Sequence, residues 1–320
     1  MYNSCSQIGS ERKQIVRVLL TNDDGVEAPG LWALYHECSR QGIEATVVAP
    51  SRERSAIGHA ITIFNEITLR EHVRGHKNSA YAIDGTPADC VKMALSVIMK
   101  ESPPDVVISG INRGQNTGTS ILYSGTVAAA LEATLNGFKA IAVSLAVTSP
   151  KTASASKEDP KELPVGTLQD VARVEANYEF AARFSVRLAK VVAERGLPPG
   201  VLLNVNIPNV PEQEIRGIVV SKMGHSVFVD EFKAINEKAG IIAYRNVGDR
   251  LIHSSEGEDW DDLVLKQNKI SITPLHYDLT HHHFLEELKR WVEAEEIESR
   301  ILGEQVAEEL SKGLDAEIVG

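Results

Sequence analysis

The feature that most constrains this chain lies near its start. Ile15-Val16-Arg17-Val18-Leu19-Leu20 is a short β-branched and apolar run halted by Thr21-Asn22-Asp23-Asp24-Gly25, which reads as a buried strand running into a turn. Pro29 suits a first helical turn, and Leu31, Leu34, Tyr35 and Cys38 then recur at helical spacing until Gly42. Ala45-Thr46-Val47-Val48-Ala49 is a second strand that stops at Pro50. Strand, helix and strand in so short a span form a βαβ unit, which requires a parallel sheet with a right-handed crossover.

The pattern returns downstream. Cys90 to Met99 is apolar at helical spacing, and Asp105-Val106-Val107-Ile108-Ser109 is a strand halted by Gly110. Ser124 to Leu135 is an Ala-rich helix followed by the strand Ala140-Ile141-Ala142-Val143-Ser144. A helix over about 172–194 and the strand Val201 to Pro208 complete the alternation. The expected fold is therefore α/β, a doubly wound, mostly parallel sheet of Rossmann-like type. Residues 216–229 and 239–246 alternate weakly and Lys269 to His276 more clearly, predicting a β-rich arm.

These readings give a polar leader at 1–14, a single α/β domain over 15–284 and an acidic helical tail at 285–320. Within the domain the core covers about 15–145 and 172–209, a flexible insertion 146–171 and the arm 210–284. Phe284, Leu288 and Trp291 give the tail helix one apolar face.

Composition narrows the function classes. Lys and Arg number 33 against 44 Asp and Glu, a net charge of −11, so the overall field repels duplex nucleic acid and anionic membranes. The three cysteines, Cys5, Cys38 and Cys90, show no paired spacing; they read as reduced thiols rather than a disulfide framework or zinc site. No apolar run is long enough to span a bilayer and the leader lacks a signal-peptide core. The expected location is the cytoplasm.

Ligands of an open parallel sheet bind beyond the carboxyl ends of its strands. The first strand ends in Asn22-Asp23-Asp24-Gly25, the second leads into Pro50-Ser51-Arg52-Glu53-Arg54-Ser55, and the third leads into Gly110-Ile111-Asn112-Arg113-Gly114-Gln115-Asn116. Taken alone, the first of these is an ordinary turn. The coincidence of carboxylates, a hydroxyl and carboxamides at three strand ends points instead to a hard-oxygen site for Mg²⁺ or Mn²⁺. Tyr123-Ser124-Gly125-Thr126 opens a helix with hydroxyls and free backbone N–H groups, which suits a phosphate, although capping alone also explains a Ser there. Arg52, Arg54 and Arg113 are candidate anion contacts and His59 a candidate for proton transfer. His281-His282-His283 reads as a solvated helix entry, and Asp84 to Asp89 as a turn and cap bordering the pocket. No Gly-rich dinucleotide or ATP-type fingerprint is present.

These residues resemble the SurE family of survival-protein nucleotidases. The resemblance is carried by Leu19-Leu20-Thr21-Asn22-Asp23-Asp24-Gly25-Val26, Arg54-Ser55 with Gly58-His59-Ala60-Ile61-Thr62, Gly85-Thr86-Pro87-Ala88-Asp89-Cys90-Val91, Ser109-Gly110-Ile111-Asn112 with Gly114 and Asn116, Tyr123-Ser124-Gly125-Thr126-Val127 and Ser271-Ile272-Thr273-Pro274-Leu275-His276. It implies a divalent metal, one per subunit, on Asp23, Asp24, Ser55 and Asn112, with Asn116, Ser124, Gly125 and Thr126 around a phosphate. It further implies hydrolysis of nucleoside 5′- and 3′-monophosphates, with a side activity on short polyphosphate. It also implies catalytic roles for Asp23, Asp24, Asn116, Ser124 and Thr126, and a homo-oligomer, dimer or tetramer, through exchanged C-terminal arms. Thr119-Ser120 departs from the acidic residues that many members carry there. Water or an Asp carboxylate can be the attacking group. A non-catalytic nucleotide sensor is the competing class; it would not need two adjacent carboxylates.

Overall fold

The computed structural model describes residues 16–74, 78–147, 162–164, 174–238, 240–248, 250–252 and 257–293. The predicted leader, nearly all of the insertion and the end of the acidic tail lie outside the described residues. The chain divides into two units, Met1–Tyr277 and Asp278–Gly320. In the second, the helix His282–Glu293 is described, with Phe284 and Trp291 edge to face at 5.2 Å.

The first unit is organised by β1 (Arg17–Thr21), α1 (Pro29–Arg40) and β2 (Glu44–Pro50). Next come β3 (Leu69–Arg74), β4 (Asn78–Ile83), α2 (Pro87–Met93), β5 (Val106–Arg113), α3 (Gly125–Leu135) and β6 (Ala140–Ala146). After β7 (Glu162–Pro164), α4 (Tyr178–Arg195) and β8 (Val201–Pro208) complete the core. The arm contributes β9 (Ile218–Val220), β10 (Val227–Phe228), β11 (Phe232–Lys238), β12 (Ile241–Asn246), β13 (Arg250–Ile252), α5 (Asp261–Lys266) and β14 (Ile270–His276).

Among the described residues, nine strands form one sheet in the order β3-β4-β2-β1-β5-β6-β8-β14-β9. Every pairing from β4 through β8 is parallel, whereas β3 on β4 and β14 on β8 are antiparallel. Alternation along the central strands supplies two cores. Val18, Leu20, Val47, Val106 and Ile108 pack on the face that carries α1 and α4, while Leu19, Val48 and Val107 pack on the face that carries α2 and α3. Cys38 and Cys90 are buried and free, and burial pushes both thiols upward. Among the described residues no helix is long and apolar enough to cross a membrane.

The structure departs from the sequence reading in instructive places. Leu69 to Ile83 forms an antiparallel edge hairpin where charged Arg70, Glu71 and His72 hide the strand signal. Strand β3 is the outermost strand on its side of the sheet, where polar and charged residues are tolerated. The helix expected over Cys90 to Met99 starts at Pro87, behind a Thr86 cap, and widens to a π-helical turn over Ala94–Ile98. The helix expected from about 172 starts at Tyr178, where Asn177 caps the first turn.

Asp89 joins this framework to the loop after β2. Its carboxylate accepts from the Thr86 N–H at 2.9 Å, completing a reciprocal cap, and from the N–H and hydroxyl of Thr62 at 2.9 and 2.6 Å. These bonds hold the carboxyl below its ordinary range, although burial opposes them as the largest single influence. Replacing Asp89 with Ala removes the N3 half of the cap and strands the Thr62 donors. We expect a loss of about 1–3 kcal/mol, read as a lower urea midpoint at unchanged slope; an unchanged midpoint contradicts this role.

Candidate active site

Strand β1 sits between β2 and β5, so the chain turns outward in opposite directions from its two sides, and a crevice opens at the carboxyl ends of β1 and β5. Directly beyond β1, the Asn22 side chain accepts from the Gly25 N–H at 3.2 Å and donates to the Gly25 carbonyl at 2.9 Å. Gly25 has φ of +99°, a conformation that side chains disfavour. This closed turn leaves Asp23 and Asp24 at the crevice. It is fastened to the loop after β2 by Val26 N–H to the Pro50 carbonyl and Arg54 N–H to the Asp23 carbonyl, both 2.8 Å.

A cavity of about 800 Å³ opens here. Asp23, Asp24, Ser55, Asn112, Asn116 and Ser124 all line it. Asn112 donates its amide to the Gly114 carbonyl at 2.8 Å, which leaves its carboxamide oxygen as the donor atom for a cation. The Ser55 hydroxyl donates to Glu53 at 2.5 Å. Helix α3 meets the carboxylates closely: a Cβ built on Gly125 would lie 2.7 Å from the Asp23 Cβ, so this approach requires glycine. Thr126 is buried and donates its hydroxyl to Asp23 Oδ1; its hydroxyl orients a carboxylate rather than facing the cavity. Ser124 caps α3 by accepting from the Val127 N–H at 3.1 Å and also faces the cavity.

Burial is the main cause that raises both carboxyl pKa values. Asp23 is shifted upward chiefly by desolvation, partly offset by Thr126. Asp24 is pushed up to about 7, by desolvation first and by the neighbouring Asp23 charge second, with Arg113 opposing. Both groups therefore bind protons more tightly folded than unfolded. Their contribution to stability is full below the ordinary carboxylate range and declines with rising pH, that of Asp24 as pH passes through about 7. A divalent cation is the partner that keeps two such groups ionised together.

The donor set fits Mg²⁺ or Mn²⁺: two carboxylate oxygens, a hydroxyl and a carboxamide oxygen, all hard, from three separate strand ends. Among the described residues no three His, Cys, Asp or Glu side chains cluster as a metal site. The candidate set contains two carboxylates and completes its shell with neutral oxygens.

The remaining sequence candidates separate clearly. Arg113 lines the cavity, whereas Arg54 pairs with Asp84 at 3.0 Å and Arg52 is exposed outside the lining. His59 bonds Glu132 at 2.8 Å instead of reaching the cavity. Glu132 also meets Lys92 at 2.8 Å, and these contacts hold its carboxyl down at about 2 despite burial. His281, His282 and His283 belong to the second unit.

Two lining residues, Val227 and Asp230, escaped the sequence reading; Glu53 and Tyr123 fell within segments it singled out, and they add a negative charge and an aromatic ring to the lining. Asn116 is held by residues far along the chain. Its N–H donates to Asn206 at 2.8 Å, its carbonyl accepts from Asn204 and Asn206 at 2.9 Å, and its amide donates to Ser144 at 2.9 Å. Asn204 and Asn206 share one face of β8, and two buried carboxamides within an apolar strand were the available signal.

The chain is similar to known proteins along most of its length. The family model described as survival protein SurE matches residues 18–230. The protein named 5'-nucleotidase SurE from Carboxydothermus hydrogenoformans is 42% identical over 283 residues, covering 87% of this chain and 97% of that protein. Its namesake from Syntrophobacter fumaroxidans is 39% identical over 276 residues, covering 86% and 99%. The crystal structure of Sure protein from Aquifex aeolicus matches with a TM-score of 0.67 at 33% identity, covering 86% of this chain and 98% of that one. A strand-end pocket built from the motif residues, inside a fold and a sequence shared along most of the chain, places this protein as a member of the SurE family.

Proposed function

We propose that this chain is a divalent-metal-dependent phosphomonoesterase that converts nucleoside 5′-monophosphates to nucleoside and phosphate. Its range extends to 3′-monophosphates and short polyphosphate. The observation that carries the reading is the meeting of Asp23 and Asp24 with Ser55, Asn112 and the start of α3 around one cavity at the sheet's switch point. The relatives' shared name, 5'-nucleotidase SurE, supports the same substrate class.

Asp23, Asp24, Ser55 and Asn112 would hold one Mg²⁺ or Mn²⁺. When bound, such an ion polarises phosphoryl oxygens and lowers the pKa of water at the site. Thr126 fixes Asp23 by occupying one carboxylate oxygen, so the other is presented in a single orientation. Ser124 and the first-turn N–H groups of α3 at Gly125 receive phosphate oxygens, since a helix start carries donors without intrahelical partners. The Asn116 amide has a second N–H beyond the one given to Ser144 and contributes another donor. These groups are preset around the phosphate, so charge developing in the transition state is met without reorganisation. The lining carries Asp23, Asp24, Glu53 and Asp230 against Arg113. A dianionic phosphate therefore approaches productively only with the cation in place.

The test is phosphate release from a panel of nucleoside monophosphates with Mg²⁺, Mn²⁺ or a chelator present. The parent should turn over with metal and stop with chelator. Asp23→Asn, which removes a charge at nearly constant volume, should lower turnover by about 10³-fold or more and abolish the metal-induced rise in melting temperature. No release with any metal would favour the nucleotide-sensor reading instead.

We also propose that the arm makes the protein a homo-oligomer, with a dimer as the minimum assembly. Hairpin β11-β12 is a separate two-stranded sheet whose Phe232, Ile235, Ile241 and Tyr244 are exposed. An isolated hairpin is marginally stable in water, and such side chains need a covering surface. Light scattering should report a mass at least twice 34.9 kDa, falling when Ile241 and Tyr244 are both changed to Ser. A parent of 34.9 kDa at micromolar concentration would contradict this.

A further inference from the structure

The cavity lining is mostly polar, and among its residues Tyr123 and Val227 are the large apolar side chains. Tyr123 is 65% exposed and Val227 55% exposed, and both line the cavity. No ring among the described residues stacks on Tyr123. A large aromatic surface left open in a polar lining is suited to a ligand that is flat at one end and anionic at the other.

The backbone holds this part of the lining in place. The Tyr123 carbonyl accepts from the Gly58 N–H at 3.0 Å, and Tyr123 immediately precedes the α3 cap Ser124. The turn Gly118–Tyr123 is tied to the segment before Val227, because Thr119 donates its hydroxyl to the Ser226 carbonyl at 2.6 Å. Asp261 fastens both from behind: its buried carboxylate accepts from the N–H groups of Gly118 and Gly224, each at 3.0 Å. Tyr123 and Val227 thus belong to one clamped wall, although 104 positions of sequence separate them (227 − 123).

We infer that Tyr123, with Val227 on the same wall, is the subsite for the nucleobase, with the ring of Tyr123 stacking on the base while the phosphate lies at Ser124 and the start of α3. This deepens the nucleotidase reading and rests on it. Every base offers a π-face, and base stacking on an aromatic side chain gives binding without reading hydrogen-bonding edges. The interaction holds the nucleoside and leaves the phosphoryl chemistry untouched, so its loss falls on KM more than on kcat.

The deciding comparison pairs adenosine 5′-monophosphate with ribose 5-phosphate, which carries the same phosphoester and primary leaving group but no base. In the parent, kcat/KM should be higher for the nucleotide. Tyr123→Ala should raise KM for the nucleotide by about 5–100-fold and leave kcat/KM for ribose 5-phosphate within about twofold, while Tyr123→Phe keeps parental values. Because Tyr123 is exposed, its truncation should not unfold the chain, and an unchanged melting temperature checks this. Calorimetric binding of adenosine, which needs no turnover, should be seen with the parent and lost in Tyr123→Ala. An equal loss on both substrates, or an unchanged KM for the nucleotide, overturns the subsite. A parent that binds adenosine through Tyr123 yet releases no phosphate would instead overturn the nucleotidase reading and leave the subsite standing.

Discussion

Two adjacent carboxylates placed at the end of a fully buried strand create the constraint around which this molecule is arranged. Leu19 and Leu20 are inaccessible to solvent and Thr21 is equally buried, so Asp23 and Asp24 emerge where water is already scarce. Desolvation and mutual repulsion raise both pKa values, a cost that a soluble surface pair would not meet. The neighbouring groups are arranged to hold these charges rather than to neutralise them. Thr126 donates to one, Arg113 partly offsets the other, and Gly125 has no side chain to hold α3 away from Asp23. The remaining deficit of positive charge is one that a bound divalent cation would meet, as the proposed function requires.

Around that pair a network of buried carboxamides holds the lining in place. Asn116 is bonded by Asn204, Asn206 and Ser144, which come from β8 and β6, so the loop after β5 is fixed by the neighbouring strand β6 and by β8 beyond it. Buried polar groups cost free energy unless bonded, and fully bonded networks specify one arrangement. Asp261 plays the same part for the opposite wall, where three backbone N–H donors partly offset the burial that raises its pKa to about 6. Positions far apart in sequence are thereby set at fixed separations around one cavity.

Much of this was legible from residue order alone. The βαβ start, the strand ends bearing Asp23, Ser55 and Asn112, and the helix opening at Ser124 all follow from local patterns, and the structure puts these residues on one cavity. Long-range relations were not legible. Nothing local to Tyr123 shows that Val227 shares its wall, because Ser226 and Asp261 make that connection through tertiary hydrogen bonds. The strand at Leu69 was hidden because an edge strand tolerates charge. His59 looked like a proton carrier by residue type, but its geometry commits it to Glu132. Thr126 was expected at the phosphate, and its hydroxyl turns toward Asp23 because α3 starts in contact with that carboxylate.

The central claim is that a divalent cation is what allows Asp23 and Asp24 to be ionised together, and it is tested most directly by counting protons released on metal binding. Metal-free protein titrated with Mn²⁺ in buffers of different ionisation enthalpy gives that number by calorimetry. Asp24 sits near a pKa of about 7 and Asp23 is also raised. Binding at pH 7 should therefore expel at least about half a proton per cation, with more released at pH 6 and less as pH rises above 7. Binding at one site with no proton release between pH 6 and 7, or release that does not change with pH, would contradict the account.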